Sequence, residues 1–210
     1  FMPKGSFDAH PEAYALKEDG TRDDQMICMS SPVAVKLVAE TCKDYFRNNI
    51  WLWSVGFSPP DGYPGCHCKD CLARLGDKQR NLISNLWFGF MRAVAQESRK
   101  EFPDRFIVSM AYANRAEPPD FKHLPSNTML EFADIDTCTI HPMGGCPRKE
   151  VYERCLKEWT HASPIVFLRE YDPGKHLDGM PFPVLNNLMQ DFPKFKEMGI
   201  FGFYTEGHNA

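Results

Sequence analysis

Five short apolar runs, each stopping in acid or amide, constrain this chain more than anything else in it. WLWSVGF ends in SPPDG (51–62), FIVSMAY in ANR (106–115) and TMLEF in ADID (128–136). PIVFL ends in REYD (164–172) and IFGFY in TEG (200–207). Runs so short and so evenly apolar suit strands of a sheet covered on both faces. They predict strands over 50–57, 106–113, 128–133, 164–171 and 200–205. Helical patterns separate most of them. Ser30-Ser31-Pro32 opens a helix over 33–48, with Val35, Val38, Cys42, Tyr45 and Phe46 near one face. A second runs over 79–102, with Leu82, Leu86, Phe90, Val94 and Ala95 aligned. Others are expected over 149–161 and 183–198, the last broken at Pro193 and ended at Gly199. The third strand is reached through the proline-rich loop AEPPDFKHLPSN instead of a helix.

Strands alternating with helices run parallel through right-handed crossovers, which leaves an α/β doubly wound sheet or a (β/α)8 barrel. No strand leads into a glycine-rich phosphate loop, which argues against a nucleotide-binding sheet. Polar residues at the carboxyl end of almost every run suit a barrel, whose strand ends converge on one mouth. Five strands do not close a barrel of eight. The expectation is therefore an α/β fold, a partial (β/α)8 TIM barrel with about five parallel strands. The whole of 1–210 then reads as a single domain, the C-terminal portion of a barrel. The opening on Phe1 suggests that a segment precedes it.

Composition sets limits on partners. The chain is 43% hydrophobic and 25% charged, with a net charge of -4. Lysine and arginine are scattered, so no basic surface for nucleic acid is expected. No apolar run reaches the ~20 residues of a membrane span. Aromatics are plentiful at 13%. Trp51, Trp53, Phe57, Tyr63, Tyr112, Tyr171 and Tyr204 lie near strand ends, where flat rings stack on sugar faces; Trp51 and Trp53 read better as core, and Tyr63 as the best stacking ring.

Several stretches carry a family resemblance. HPEAYALKEDGTR (10–22), QMICMSSPVAVKLVAE (25–40) and SPPDGYPGCHCKDC (58–71) resemble the bacterial domain-of-unknown-function 4838 family. IHPMGGCPRKEVYERCLKEW (140–159) and FKEMGIFGFYTEG (195–207) are similar to it too, in the family's order. That family resembles TIM-barrel glycoside hydrolases, and some members belong to glycoside hydrolase family 163, endo-acting β-N-acetylglucosaminidases. The resemblance implies a glycoside hydrolase-like domain acting on N-acetylhexosamine-containing glycans, with a carbohydrate substrate, no cofactor, and a secreted or periplasmic location. The alternatives are a non-catalytic carbohydrate-binding domain and a metal-binding module.

Glycoside hydrolysis needs one protonated carboxyl group and another group to meet the developing positive charge. Asp61, in the turn after the first run, and Glu206, after the last, are the leading pair. Asp61 alone also reads as a turn former and Glu206 as a solvated loop acid. Glu170 and Asp172 flank Tyr171, and alternation places the two acids on one side and the ring on the other. If the acids do not face the barrel interior, Tyr171 does. Glu131, Asp134 and Asp136 rank lower. Asn114 and Arg115 can bind hydroxyls or a carboxylate. His10 and His141, each before a proline, bind sugar or fix their loops. Cys66, Cys68 and Cys71 form a compact knot beside Asp61 and are weak metal candidates, with a distant ligand conceivable in Cys138, His141 or Cys146. The stronger reading is that they brace the loop bearing Asp61. Cys42 and Cys155, inside helices, read as buried free thiols.

Overall fold

The computed structural model describes residues 2–61, 65–171 and 184–205, Val184 by its backbone only. A short helix α1 (Ser6–Ala9) and a 3-10 turn (Pro11–Ala13) lead into a hairpin of β1 (Tyr14–Leu16) and β2 (Arg22–Ile27). Then follow α2 (Pro32–Asn48), β3 (Ser54–Gly56), α3 (Lys69–Leu72), α4 (Ser84–Arg99) and β4 (Phe106–Tyr112). A 3-10 turn (Ala113–Arg115) precedes β5 (Thr128–Ala133). The chain continues through α5 (Pro147–Ala162), β6 (Val166–Glu170), α6 (Val184–Glu197) and β7 (Gly202–Thr205).

The five later strands form one sheet in the order β3-β4-β5-β6-β7, every pair parallel. Each strand neighbours the one before it in sequence. A doubly wound sheet reverses its order at a switch point; this one does not. It curls as half of a TIM-like barrel, as the strand ends implied.

Alternation sorts the strands into two faces. Ile107, Ser109 and Ala111, then Leu130 and Phe132, then Val166, Leu168 and Glu170 are buried beneath the helices. Trp87 on α4 donates its indole N–H to Ser109 Oγ at 2.8 Å, and Tyr152 on α5 packs on Phe132. Met110, Tyr112, Glu131, Phe167, Arg169 and Tyr204 take the other, concave face, where Arg169 lies over the Tyr204 ring. The helical layer holds most of the large buried side chains, among them Trp87, Trp159, Tyr152, Phe46, Phe88 and Phe90. Each such side chain stabilises the fold by roughly 1.5–3 kcal/mol. No helix links β4 to β5, and α4 and α5 meet across the gap. Phe88 and Trp159 pack at 4.7 Å, and the Trp159 indole N–H is accepted by the Ala116 carbonyl at 2.7 Å.

Local chemistry explains the elements. Ser31 caps α2, its Oγ accepting the Ala34 N–H at 3.3 Å, with Pro32 in the first turn. Gly202 is required by its neighbour: a Cβ there would lie 2.7 Å from the Phe167 ring.

Four expectations are corrected. Trp51 and Trp53 are 84% and 65% exposed, because the first strand is confined to Ser54–Gly56 and both rings precede it. Trp53 stacks under the Arg105 guanidinium at 5.1 Å. Tyr45 points outward, the buried face of α2 being Ala34, Val38, Ala39, Cys42 and Phe46. Pro193 does not break its helix, which runs on to Glu197. The N–H that proline lacks would have met the Met189 carbonyl, and Met189 is exposed, so the loss falls on the solvent side of the helix.

Candidate functional site

The carboxyl ends of the parallel strands gather polar side chains on the concave face. Glu131 stands on β5, Arg169 on β6 and Tyr204 on β7, with Arg169 and Tyr204 directly in register. The Arg169 guanidinium lies 6.0 Å from the Tyr204 ring centre. Burial, the charge of Glu131 and a hydrogen bond to it push the Tyr204 phenol up to about 12, against the pull of Arg169. Tyr204 therefore stays a neutral donor beside a carboxylate and a guanidinium. Three adjacent strands thus supply a carboxyl group, a guanidinium and a phenol to the concave face, Glu131 in register with Phe167 and so one pleat below the Arg169–Tyr204 pair.

A second group lies at the ends of β3 and β4. Asp61 is exposed, and its charge is felt by both Tyr112 and Arg115. Burial raises the Tyr112 phenol, and Asp61 adds to that. Arg115 is buried. Its Nε donates to the Met110 carbonyl at 3.2 Å, Nη1 donates to Asn114 Oδ1 at 3.3 Å, and the guanidinium lies 5.7 Å from the Tyr112 ring centre. The turn that makes this possible contains Ala113 at φ 49°, a left-handed conformation that costs an L-residue roughly 1–2 kcal/mol. Asn114 also holds the start of α4, its carbonyl accepting the Ile83 N–H at 3.1 Å. The expected sugar-binding pair Asn114 and Arg115 thus lies beside Asp61, and Asn114 is the more accessible of the two.

Glu170 takes the other face. It is buried against α5, where the Tyr152 hydroxyl donates to Oε1. Burial, then the charge of Glu170, holds that phenol well above its ordinary range. Beside them Lys149 and Asp191 are buried 3.8 Å apart, Asp191 also accepting the Met143 N–H at 2.8 Å. A cavity of about 20 Å3, room for one water, separates these groups from Asn187 and Phe203. Glu170 therefore belongs to a buried polar layer behind the sheet, and alternation turns Tyr171 toward the concave side. Asp134 is also committed, clamped by Arg80 at 2.9 and 3.1 Å, while Asp136 is exposed in the following loop.

His10 is half-exposed and meets Glu12 within its own turn, Nδ1 to Oε1 at 3.3 Å. His141 is exposed and faces Cys138 Sγ at 3.3 Å through Nδ1. Tyr63, Asp172 and Glu206 lie outside the described residues, so the Asp61–Glu206 pairing rests on sequence position, with Thr205 the last described residue of β7.

The cysteines fall into two clusters. Cys66, Cys68 and Cys71 are joined by Cys28, and the four sulfurs all lie within 4.8 Å of one another. The fourth member comes from upstream, immediately before the α2 cap, where the sequence reading looked downstream. Its signal was the cysteine in MICMS, hidden by a separation of 43 residues from Cys71. A hydrogen bond from Cys71 draws the Cys28 thiol down, against burial, while Cys71 itself is raised. Cys138, His141 and Cys146 form the second cluster, in the loop after β5. Burial raises the Cys138 thiol, but hydrogen bonds from His141, Ile140 and Cys146 together outweigh it and bring the group to about 7. Cys42 and Cys155 are buried free thiols, as their helical positions implied, and burial pushes Cys42 up to about 12.

A family described as a domain of unknown function, DUF4838, matches residues 1–210, and the chain belongs to it. No curated protein and no solved structure matches the chain.

Proposed function

We propose, with membership of the DUF4838 family as the premise, that this chain forms one side of the cleft of a glycoside hydrolase. The substrates are glycans containing β-linked N-acetylhexosamine, cleaved internally with help from the substrate's own acetamido group. The observation that carries the reading is the concave face itself. Glu131, Arg169 and Tyr204 stand on three adjacent strands, with Tyr204 hydrogen-bonded to Glu131, and the charge of Asp61 reaches Tyr112 and Arg115 at the ends of β3 and β4. Barrel enzymes build their sites at this end of the strands. Carboxylates, guanidinium groups and phenols match sugar hydroxyls and an amide, and tyrosine rings offer flat apolar faces.

In the acetamido-assisted route, the amide oxygen attacks the anomeric carbon and the glycosidic bond breaks. One carboxyl group orients and polarises the amide while another delivers a proton to the departing oxygen. This differs from the ordinary two-carboxylate scheme. Asp61 and Glu206 are assigned those two tasks, and Glu131, with Tyr204 as its donor, is assigned to a substrate hydroxyl.

The test uses full-length protein and its Asp61→Asn, Glu131→Gln and Glu206→Gln variants on complex N-glycans and on aryl N-acetylglucosaminides. Loss of a general acid or base should lower turnover by about 100- to 10,000-fold, and Glu131→Gln should chiefly raise KM. A hydrolase that retains full turnover in both Asp61→Asn and Glu206→Gln would remove these assignments. Glycan binding without turnover in the parent protein would replace hydrolysis by recognition.

A further inference from the structure

We infer that Cys28, Cys66, Cys68 and Cys71 form a structural zinc site that ties the β1–β2 hairpin and the start of α2 to the loop carrying Asp61. The sulfur spacing is the first argument. Cys28 Sγ lies 3.7 Å from Cys68 Sγ and 3.8 Å from Cys71 Sγ. Four thiolates placed tetrahedrally around zinc at about 2.3 Å stand roughly 3.8 Å from one another. A disulfide would bring two sulfurs to about 2.05 Å, and all eight cysteines are free.

The surroundings are the second argument. Cys28, Cys66 and Cys71 are buried and Cys68 is half-buried, which describes a closed site with no position left for substrate. The Leu16 N–H donates to Cys66 Sγ at 3.2 Å, and Ser30 Oγ lies 3.1 Å from Cys71 Sγ and 3.4 Å from Cys68 Sγ. Donors of this kind stabilise thiolates and orient them around a metal. The ligand order is also apt. Cys66-x-Cys68-x-x-Cys71 supplies three sulfurs from one turn, and the fourth arrives from a distant segment. Soft sulfur ligands in tetrahedral array select zinc over magnesium or calcium.

On binding, each thiol releases its proton to solvent and four sulfur–zinc bonds form, leaving the site with two net negative charges and no change in oxidation state. The His67 N–H is already accepted by the Leu16 carbonyl at 2.8 Å, so metal at the adjacent sulfurs would lock the loop onto the hairpin. Asp61 lies five residues before Cys66 on that same loop.

Full-length protein purified without chelator should hold one zinc per chain at this site, with X-ray absorption showing four sulfurs at about 2.3 Å. Cobalt exchanged into it should give thiolate charge-transfer and tetrahedral d–d bands. Cys28→Ser and Cys71→Ser should each lose that equivalent, and Cys138→Ser should keep it. The absorption measurement on unaltered protein stands even if the variants fail to fold. A first shell containing nitrogen, zinc lost only from Cys138→Ser, bound iron in place of zinc, or a metal-free protein with a disulfide among these four cysteines would each overturn the inference. None of these readouts depends on glycan hydrolysis.

Discussion

Tyr152 and Glu170 show how an acid at a strand end is withdrawn from chemistry. Their side chains meet between β6 and α5, and burial holds the phenol protonated so that it always donates. Tyr152→Phe keeps the ring against Phe132 and removes only the donor. It should lower stability by about 1–3 kcal/mol, read as a drop in urea midpoint with an unchanged slope, while glycan binding is unaffected. Unchanged stability would mean that Glu170 does not depend on this bond. Which of two acids faces a cleft cannot be read from REYD alone, because one step of register along a strand reverses the answer. Glu131 and Asp134 are indistinguishable in the sequence for the same reason: EFAD offers two acids, and only the pairing with β6 shows that Glu131 faces inward while Asp134 is held by Arg80.

Among the elements, β7 is the most narrowly specified. The Phe167 ring occupies the space where a Cβ of Gly202 would stand. Gly202→Ala should cost about 1–3 kcal/mol through overpacking, and Phe167→Leu should recover part of that loss in the double variant. Additive losses in a double-mutant cycle would show that the ring is not what excludes the side chain. The strand over Thr128–Ala133 was legible to the residue, since an apolar run bounded by Asn127 and Asp134 allows few other readings. The β1–β2 hairpin was not legible. Arg22-Asp23-Asp24-Gln25 presents charge and amide in succession, and its pairing with β1 is held by backbone bonds that leave little mark on composition. The wide strand expected over 50–57 shrank for a related reason: Ile50, Trp51 and Trp53 are apolar but exposed, and Trp53 meets the Arg105 guanidinium instead of the core.

At the level of the whole molecule, the sheet is open among the described residues. β3 and β7 stand at its two edges, and the concave face is only partly covered among the described residues. A 210-residue polypeptide with this sheet should self-associate, because strand edges that are unpaired among the described residues, and exposed apolar rings, recruit partners. Sedimentation velocity over a range of concentrations should show species larger than the monomer. A monodisperse monomer at high concentration would mean that the edges are protected. Barrel class was legible from the way the apolar runs end, yet the strand order itself needed the coordinates.

Because each strand lies beside its predecessor, the sheet can be assembled in the order in which the chain leaves the ribosome. A newly emerged strand always meets an edge already waiting for it, and loop closure never spans more than one crossover. Translation and sheet growth can therefore proceed in the same direction, with no strand obliged to wait for a distant partner.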